Sequence, residues 1–403
     1  MKIAIIADWF SEKMGYAENC LPKALASLGH ETHLITSNVQ TYFNSPTYKE
    51  TYEPFIGPGI VACESRKLDG YTLHRLSYGQ WRGRLRIRGL RQKLIELCPQ
   101  IVQTFDVTSL TTLEAALCKL SVGYELFLES HLHASVFPPA LGRGSLRDRI
   151  YWTLYANTFG RFVSRLTKKC YPISTDAAEI VIRFFGIDSG KVDVVPLGVD
   201  TDLFCPPDTD TAQQTRKQLR QSLGFAPNEV VCVYTGRFSK DKNPLCLAHA
   251  IGKLVAEGGA VRGLFVGNGP AEDVAAIRRT PGCVVQPFVP TSDLPPYYWA
   301  ADIGVWPKQE STSQLDAAAC GLPLILSNKV KVIERVEGNG LLYEQDNPAD
   351  LARRIRQLAD PEVRHPMGQL GVRKVHERFS WLEIARQRLQ DYEAAWQNKR
   401  TVA

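Results

Sequence analysis

With 403 residues the chain is long enough for two or three domains, each with its own core. No apolar run approaches the length of a membrane span, and residues 3–7, straight after Met1-Lys2, are too short for a signal-peptide core, so a cytoplasmic location is expected. Ten cysteines stand singly, with no C-x-x-C pair and no histidine cluster at zinc spacing, so neither a disulfide framework nor a metal site is indicated. The net charge of +6 is unevenly placed: residues 66–93 hold nine basic side chains against Asp69, and 143–169 hold seven against Asp148. A local basic face of this kind implies an anionic partner.

In chain order, residues 2–8 read as a strand, followed by a loop containing Gly15, a helix ending at Leu28-Gly29 and a second strand at 33–36. That is a βαβ unit of a parallel sheet. Pro22 suits the first turn of the helix, so the regular part is expected from about Leu21. Gly15 would let a substrate approach the backbone. Residues 38–59 show no period and read as a loop or insertion. Strands are expected at 101–105 and 125–129, separated by a helix over 110–120. The second of them runs into Ser130-His131-Leu132-His133. Groups that touch ligands in open α/β sheets sit just past the carboxyl ends of strands, which makes His131, and less strongly His133, a candidate site histidine; a structural histidine is the other reading.

Residues 143–169 combine Tyr151, Trp152, Tyr155 and Phe159 with basic residues at roughly helical spacing. One reading is a peripheral helix on an anionic membrane, with aromatics in the interfacial layer. The other is an ordinary amphipathic helix whose aromatics face the core. No nucleic-acid-binding motif accompanies the charge, so nucleic acid is not an expected partner.

The apolar run 192–195 and then residues 196–200 end the first half, and the polar, Pro-containing run 206–215 reads as surface linker, which places the boundary near 199–215. A second series of strands is expected at 230–234, 263–266, 284–288, 303–306 and 324–326, with helical patterns between. The predicted architecture is therefore α/β: two Rossmann-like domains at 1–199 and 216–378 with a ligand cleft between them, and a C-terminal helix over 379–403 that could pack back on the first domain. Within the second domain, residues 306–323 (WPKQESTSQLDAAACGLP) pass from a buried strand through a loop into an alanine-rich helix. Glu310, Ser311, Thr312, Ser313 and Asp316 cluster at that helix start, where free N–H groups can bind an anion such as a diphosphate and the two acids can accept sugar and ribose hydroxyls. Alternatively, the hydroxyls supply an N-cap and Asp316 a favourable dipole charge.

These residues carry a family resemblance. Residues 28–36 (LGHETHLIT), 194–204 (VVPLGVDTDLF), 235–243 (TGRFSKDKN), 266–270 (VGNGP), 298–302 (YWAAD) and 316–323 (DAAACGLP) follow in the order of a retaining glycosyltransferase of family four. The chain resembles that family, with its GT-B fold of two facing Rossmann-like domains. The resemblance implies a nucleotide diphosphate sugar as donor and a glycan or lipid-linked acceptor held mainly by the first domain, in cell-surface glycan biosynthesis. It implies that Arg237 and Lys242 clamp the diphosphate, that Glu310 holds the sugar ring, that Asp316 holds the ribose and that His131 contacts the donor sugar. Gly15, Asn268 and Ser311 to Ser313 would complete the donor site, with no cofactor and no metal. One departure stands out: the family commonly separates its two acids by seven residues, whereas Glu310 and Asp316 are separated by five. Two rivals remain, a GT-B nucleotide-sugar epimerase and a nucleotide-sugar-binding protein without catalysis.

Overall fold

The computed structural model describes residues 1–46, 48–134 and 137–402. Contacts divide the chain into two compact units, Met1–Leu197 with Ile384–Ala403, and Gly198–Glu383. In the first unit, β1 (Lys2–Ala7), β2 (Glu31–Ser37), β3 (Glu64–Leu68), β4 (Tyr71–Leu76), β7 (Ile101–Thr104), β8 (Glu125–Ser130) and β9 (Thr167–Pro172) form one sheet in the order β3-β4-β2-β1-β7-β8-β9. A separate hairpin joins β5 (Tyr78–Trp81) to β6 (Arg84–Ile87). Every pairing in the large sheet is parallel except β3 with β4, and β1 at its centre aligns Ile3 with Thr32 on one side and Ile101 on the other. β1 is buried along nearly its whole length, as its unbroken apolar run requires of a parallel strand.

Several local expectations change. The first helix spans Ala17–Ser27, so Pro22 lies inside it and not in the first turn. The turn is closed ahead of the proline, because Tyr16 N–H donates to Asn19 Oδ1 (3.1 Å) and Asn19 N–H to the Tyr16 carbonyl (2.9 Å). Residues 192–195 run beside β9: Val192 makes an isolated bridge to Cys170, and Asp193 and Val195 donate to carbonyls along that strand. Residues 206–215 are linker only in part, since a helix begins at Asp210, capped by Thr209. The loop expected over 38–59 holds two single-turn helices, Tyr48–Thr51 and Glu53–Ile56, while position 47 lies outside the described residues.

The second unit is a six-stranded, wholly parallel sheet of β10 (Val230–Thr235), β11 (Val261–Val266), β12 (Cys283–Gln286), β13 (Ile303–Trp306), β14 (Leu324–Ser327) and β15 (Gly340–Tyr343). Its order is β12-β11-β10-β13-β14-β15. β10 and β13 are neighbours although two strands intervene in sequence, so the loops that leave their carboxyl ends emerge side by side. The alternating strand and helix pattern fills both faces with Val, Leu, Ile and Ala, and one continuous core results.

The C-terminal helix Trp381–Val402 groups from Ile384 onward with the first unit. Its anchor is electrostatic. Arg388, 2% exposed, donates from Nη1 to Glu129 Oε2 of β8 at 2.5 Å, and Glu129 is wholly buried. Gln103 of β7 donates to the same oxygen (2.9 Å), Tyr392 donates to Gln103, and the Arg388 guanidinium lies 4.8 Å over the Tyr171 ring. Removing one member strands a charge in a dry site. Arg388→Met is expected to lower unfolding free energy by about 3–5 kcal/mol, and Arg388→Met with Glu129→Leu to recover most of it. Urea denaturation followed by circular dichroism measures both, and equal losses in the two variants would contradict this account.

Candidate active site

In the second unit the site grows from the ends of β10 and β13. β10 leads into Gly236, whose φ of +141° turns the chain sharply, and Gly267 at the end of β11 (φ +153°) packs so closely that an added Cβ would overlap the Gly236 carbonyl. The loop carrying Arg237 is pinned on three sides. Gly236 N–H donates to the Val266 carbonyl (3.0 Å), Phe238 N–H to the Asn268 carbonyl (2.8 Å), and Tyr234 Oη to the Arg237 carbonyl (2.7 Å). Asn268 therefore lies against this loop, and its Oδ1 accepts from Gly269 N–H at 2.8 Å. Asn243 caps the helix Pro244–Ala256 from a left-handed conformation (φ +49°), which places Lys242 just ahead of that helix.

Lys242 is half-buried, and burial followed by the charge of Arg237 lowers its pKa. Its Nζ donates to the Glu310 carbonyl at 2.8 Å. Arg237, Lys242 and Glu310 thus meet where β10 and β13 end. Arg237 is exposed, while the Glu310 carboxylate accepts the Lys331 N–H at 2.9 Å.

The loop ahead of the short helix Ser313–Ala319 differs from a simple capped terminus. No side chain caps that helix at Thr312; Ser311 Oγ bonds Ser313 Oγ (3.2 Å), and Gln314 and Leu315 N–H go to the carbonyls of Ser311 and Thr312. Beneath the loop lies Arg335, 8% exposed, which the sequence reading did not identify. Its Nη1 donates to the Ser311 carbonyl (3.1 Å) and to Gln314 Oε1 (3.4 Å), and burial lowers its pKa. Asp316 feels the same guanidinium, but burial, reinforced by Asp200, outweighs it and pushes the carboxyl up to about 8.

In the first unit Gly15 takes φ +64° immediately before the helix Ala17–Ser27, and Glu18 in that helix's first turn is 7% exposed. Burial pushes Glu18 up to about 7, against the opposing pull of its own backbone N–H and of His131. His131 Nε2 bonds Glu129 Oε1 at 2.7 Å. Burial disfavours the imidazolium, yet the bond and charge of Glu129 prevail and raise its pKa. Glu129 itself is held down at about 2, because Arg388 and His131 overcome its burial. Nδ1 is then the His131 nitrogen left to meet a ligand. His133 instead lies 4.0 Å from Asp176. Asp8, just past β1, is a further carboxyl pushed up to about 7 by burial. Neither Glu18 nor Asp8 was legible as a site residue, because a carboxyl in a first turn or at a strand end reads as solvated. Among the described residues, no three His, Cys, Asp or Glu side chains are grouped to hold a metal ion.

The raised carboxyls set the pH dependence of stability. Below about pH 4 Glu18 is protonated folded and unfolded and contributes nothing; as pH rises toward 7 the unfolded carboxyl ionises first, the folded state holds the extra proton and stability falls. Glu18→Gln is expected to match the wild type near pH 4 and to exceed it by about 3 kcal/mol at pH 8. Denaturation curves across that range test this, and parallel pH profiles for the two proteins would overturn it.

Comparison with known proteins bears on family and fold. Residues 21–203 match the Glycosyltransferase Family 4 model and residues 229–360 the model for Glycosyl transferases group 1. Spore coat protein SA of Bacillus subtilis is 28% identical over 241 residues, 55% of this chain and 63% of that protein. D-inositol 3-phosphate glycosyltransferase of Segniliparus rotundus is 28% identical over 296 residues, 69% of this chain and 63% of its own length. The chain thus spans less than two thirds of these curated relatives. Among solved structures, a glycosyltransferase from Rickettsia africae superposes with a TM-score of 0.67 at 16% identity, covering 98% of both chains. Anabaena Alr3699/HepE in complex with UDP does so with 0.65 at 16% identity, covering 98% of this chain and 100% of that one. Motifs, fold and family models converge, and the chain belongs to the group 1 glycosyltransferases of family four and has the GT-B fold.

Proposed function

We propose that the protein is a retaining glycosyltransferase that moves a hexose from a nucleotide diphosphate sugar to an acceptor held mainly by the first unit. The observation that carries this reading is the convergence of Arg237, Lys242 and Glu310 at the neighbouring ends of β10 and β13, with Lys242 Nζ 2.8 Å from the Glu310 carbonyl. Two cations beside a carboxylate suit a diphosphate next to a sugar ring. Arg237 and Lys242 neutralise the charge that builds on the diphosphate as the glycosidic bond breaks, a role that needs no metal ion. Glu310 accepts hydroxyls of the ring, and Ser311 to Ser313 and Asn268 border the nucleotide. His131, held by Glu129 as a hydrogen-bond donor, is assigned to the transferred sugar. The leaving diphosphate takes the acceptor's proton, so no separate general base is required. UDP and UDP-glucose bound to the Anabaena neighbour support a nucleotide-sugar donor.

Thermal shift against a panel of nucleotide sugars identifies the donor through the stabilisation that any native-state ligand confers. Turnover of that donor in the presence of acceptor, with the product anomer read by nuclear magnetic resonance, tests the transfer. Unchanged donor would identify a binding protein, and an epimerised donor without transfer would identify an epimerase. Arg237→Ala and Lys242→Ala are each expected to lower turnover by about a hundredfold, as loss of a charge-stabilising donor does. Glu310→Gln should damage turnover more than Asp316→Asn. With its pKa near 8, Asp316 is already neutral at pH 6.5, so the asparagine variant should bind donor like the wild type there and diverge only above pH 8. Near-normal turnover in both cation variants, or a larger turnover defect in Asp316→Asn than in Glu310→Gln, would remove the basis for these assignments.

A further inference from the structure

The helix Leu146–Tyr155 has no buried residue. At about 100° per residue, Trp152 and Tyr155 share one face, and both pack on Phe185, with Trp152 also against Phe137. Leu146, Ile150 and Leu154 share the opposite face and are 70%, 53% and 61% exposed. Arg147 and Arg149 flank this apolar stripe on either side, both exposed. Leu141 just before the helix and Phe159 just after it are exposed as well. Both readings of the sequence therefore apply, on different sides of one helix: two aromatics complete the core, and an aliphatic stripe points away from it.

A second element joins this face. Arg84 of β6 donates to Tyr151 Oη (2.9 Å), which brings the β5–β6 hairpin beside the helix. At the hairpin's tip Trp81 is 56% exposed, and Arg82 lies 5.0 Å over its ring. Arg82, Arg84, Arg86 and Arg88 are exposed, as are Arg143, Arg161 and Arg165 around the helix. Among the described residues, no ion pair joins Arg143, Arg147, Arg149, Arg161 or Arg165 to a carboxylate. A stripe of aliphatics with a tryptophan, ringed by unpaired arginines, does not match a soluble polyanion, which offers nothing for the leucines, nor a neutral protein surface, which leaves the arginines unmatched. It matches a lipid surface whose acyl chains take the stripe and whose anionic headgroups take the arginines. Among the described residues, no helix is long and apolar enough to cross a membrane.

We propose that the helix Leu146–Tyr155 and the β5–β6 hairpin form a docking face for an anionic lipid bilayer, with the aliphatic stripe seated at the headgroup boundary. The face includes none of the residues assigned to donor binding, and the proposal does not depend on them. Full-length protein is sedimented with vesicles of phosphatidylcholine alone or containing about 30 mol% phosphatidylglycerol, at about 0.1 M and about 1 M salt. Binding to the anionic vesicles is expected, weakening at high salt. Arg147→Gln with Arg149→Gln should lower the partition coefficient about twentyfold, and Leu146→Ser, Ile150→Ser and Leu154→Ser together by about a hundredfold or more. Arg278→Gln with Arg279→Gln, on the second unit, should leave it unchanged. These side chains face solvent, so unfolding curves of the variants should overlay the wild type. No binding, equal binding to both lipids, or wild-type binding by the aliphatic triple variant would overturn the proposal. So would a dimer in sedimentation velocity that the same substitutions abolish while vesicles are ignored. Donor stabilisation by nucleotide sugars is measured in parallel, so failure at the membrane is distinguishable from failure of the transferase reading.

Discussion

The buried pair of Glu129 and Arg388 ties together distant parts of the first unit. It links β8 to the C-terminal helix across 259 residues of chain, recruits Gln103 from β7 and Tyr392 from the same helix, and fixes the charge state of His131. A carboxylate with no exposed surface is costly unless its neighbours are cationic or donating, and here they are. The consequence reaches the candidate site because one oxygen of Glu129 is spent on Arg388 and the other on His131. The imidazole is oriented by a carboxylate that is itself held by the C-terminal helix.

The second unit solves a parallel problem with backbone atoms. Two glycines in near-contact, three hydrogen bonds to the Arg237 loop and a bond from Trp306 Nε1 to the Thr235 carbonyl (3.1 Å) fix the ends of β10, β11 and β13 against one another. A loop whose backbone is held in this way needs little further ordering on binding, and under the proposed function that preorganisation would let charge stabilisation act on the reaction instead of on loop closure.

Much of this was legible in the sequence, and the remainder has identifiable causes. The expected strands lie within two residues of strands found in the two sheets, because buried parallel strands are continuous apolar runs such as 3–6 and 303–306, although β4, β9 and β15 were not among them. β3 and the β5–β6 hairpin left no such trace: Glu64–Leu68 is a polar edge strand, and Arg84–Ile87 alternates arginine with an aliphatic inside a segment that reads as bare positive charge. Arg237, Lys242 and Glu310 were singled out because they stand in motifs that resemble the family's, in loops that follow strands. Arg388 and Arg335 were not, since their partners are remote in sequence and each looks like an ordinary surface arginine. The protonated state of Asp316 was also illegible, because it depends on burial that neighbouring residues do not announce.

Arg335 also bears on the shortened acidic loop. Two consecutive carbonyls of that loop are held by two cations from different elements: Glu310 by Lys242, and Ser311 by Arg335. Asp316, one helical turn further on, shares the field of Arg335 from inside. The Glu310 carboxylate itself has an oxygen on the Lys331 N–H. The loop is therefore clamped through its backbone, so its rigidity does not require the second acid to be charged. The two acids therefore sit in different electrostatic settings: Glu310 has an oxygen on a backbone N–H, whereas the half-buried Asp316 carboxyl is pushed up to about 8 by burial against the pull of Arg335, a difference that two carboxyls in one short loop acquire from their surroundings and not from their spacing.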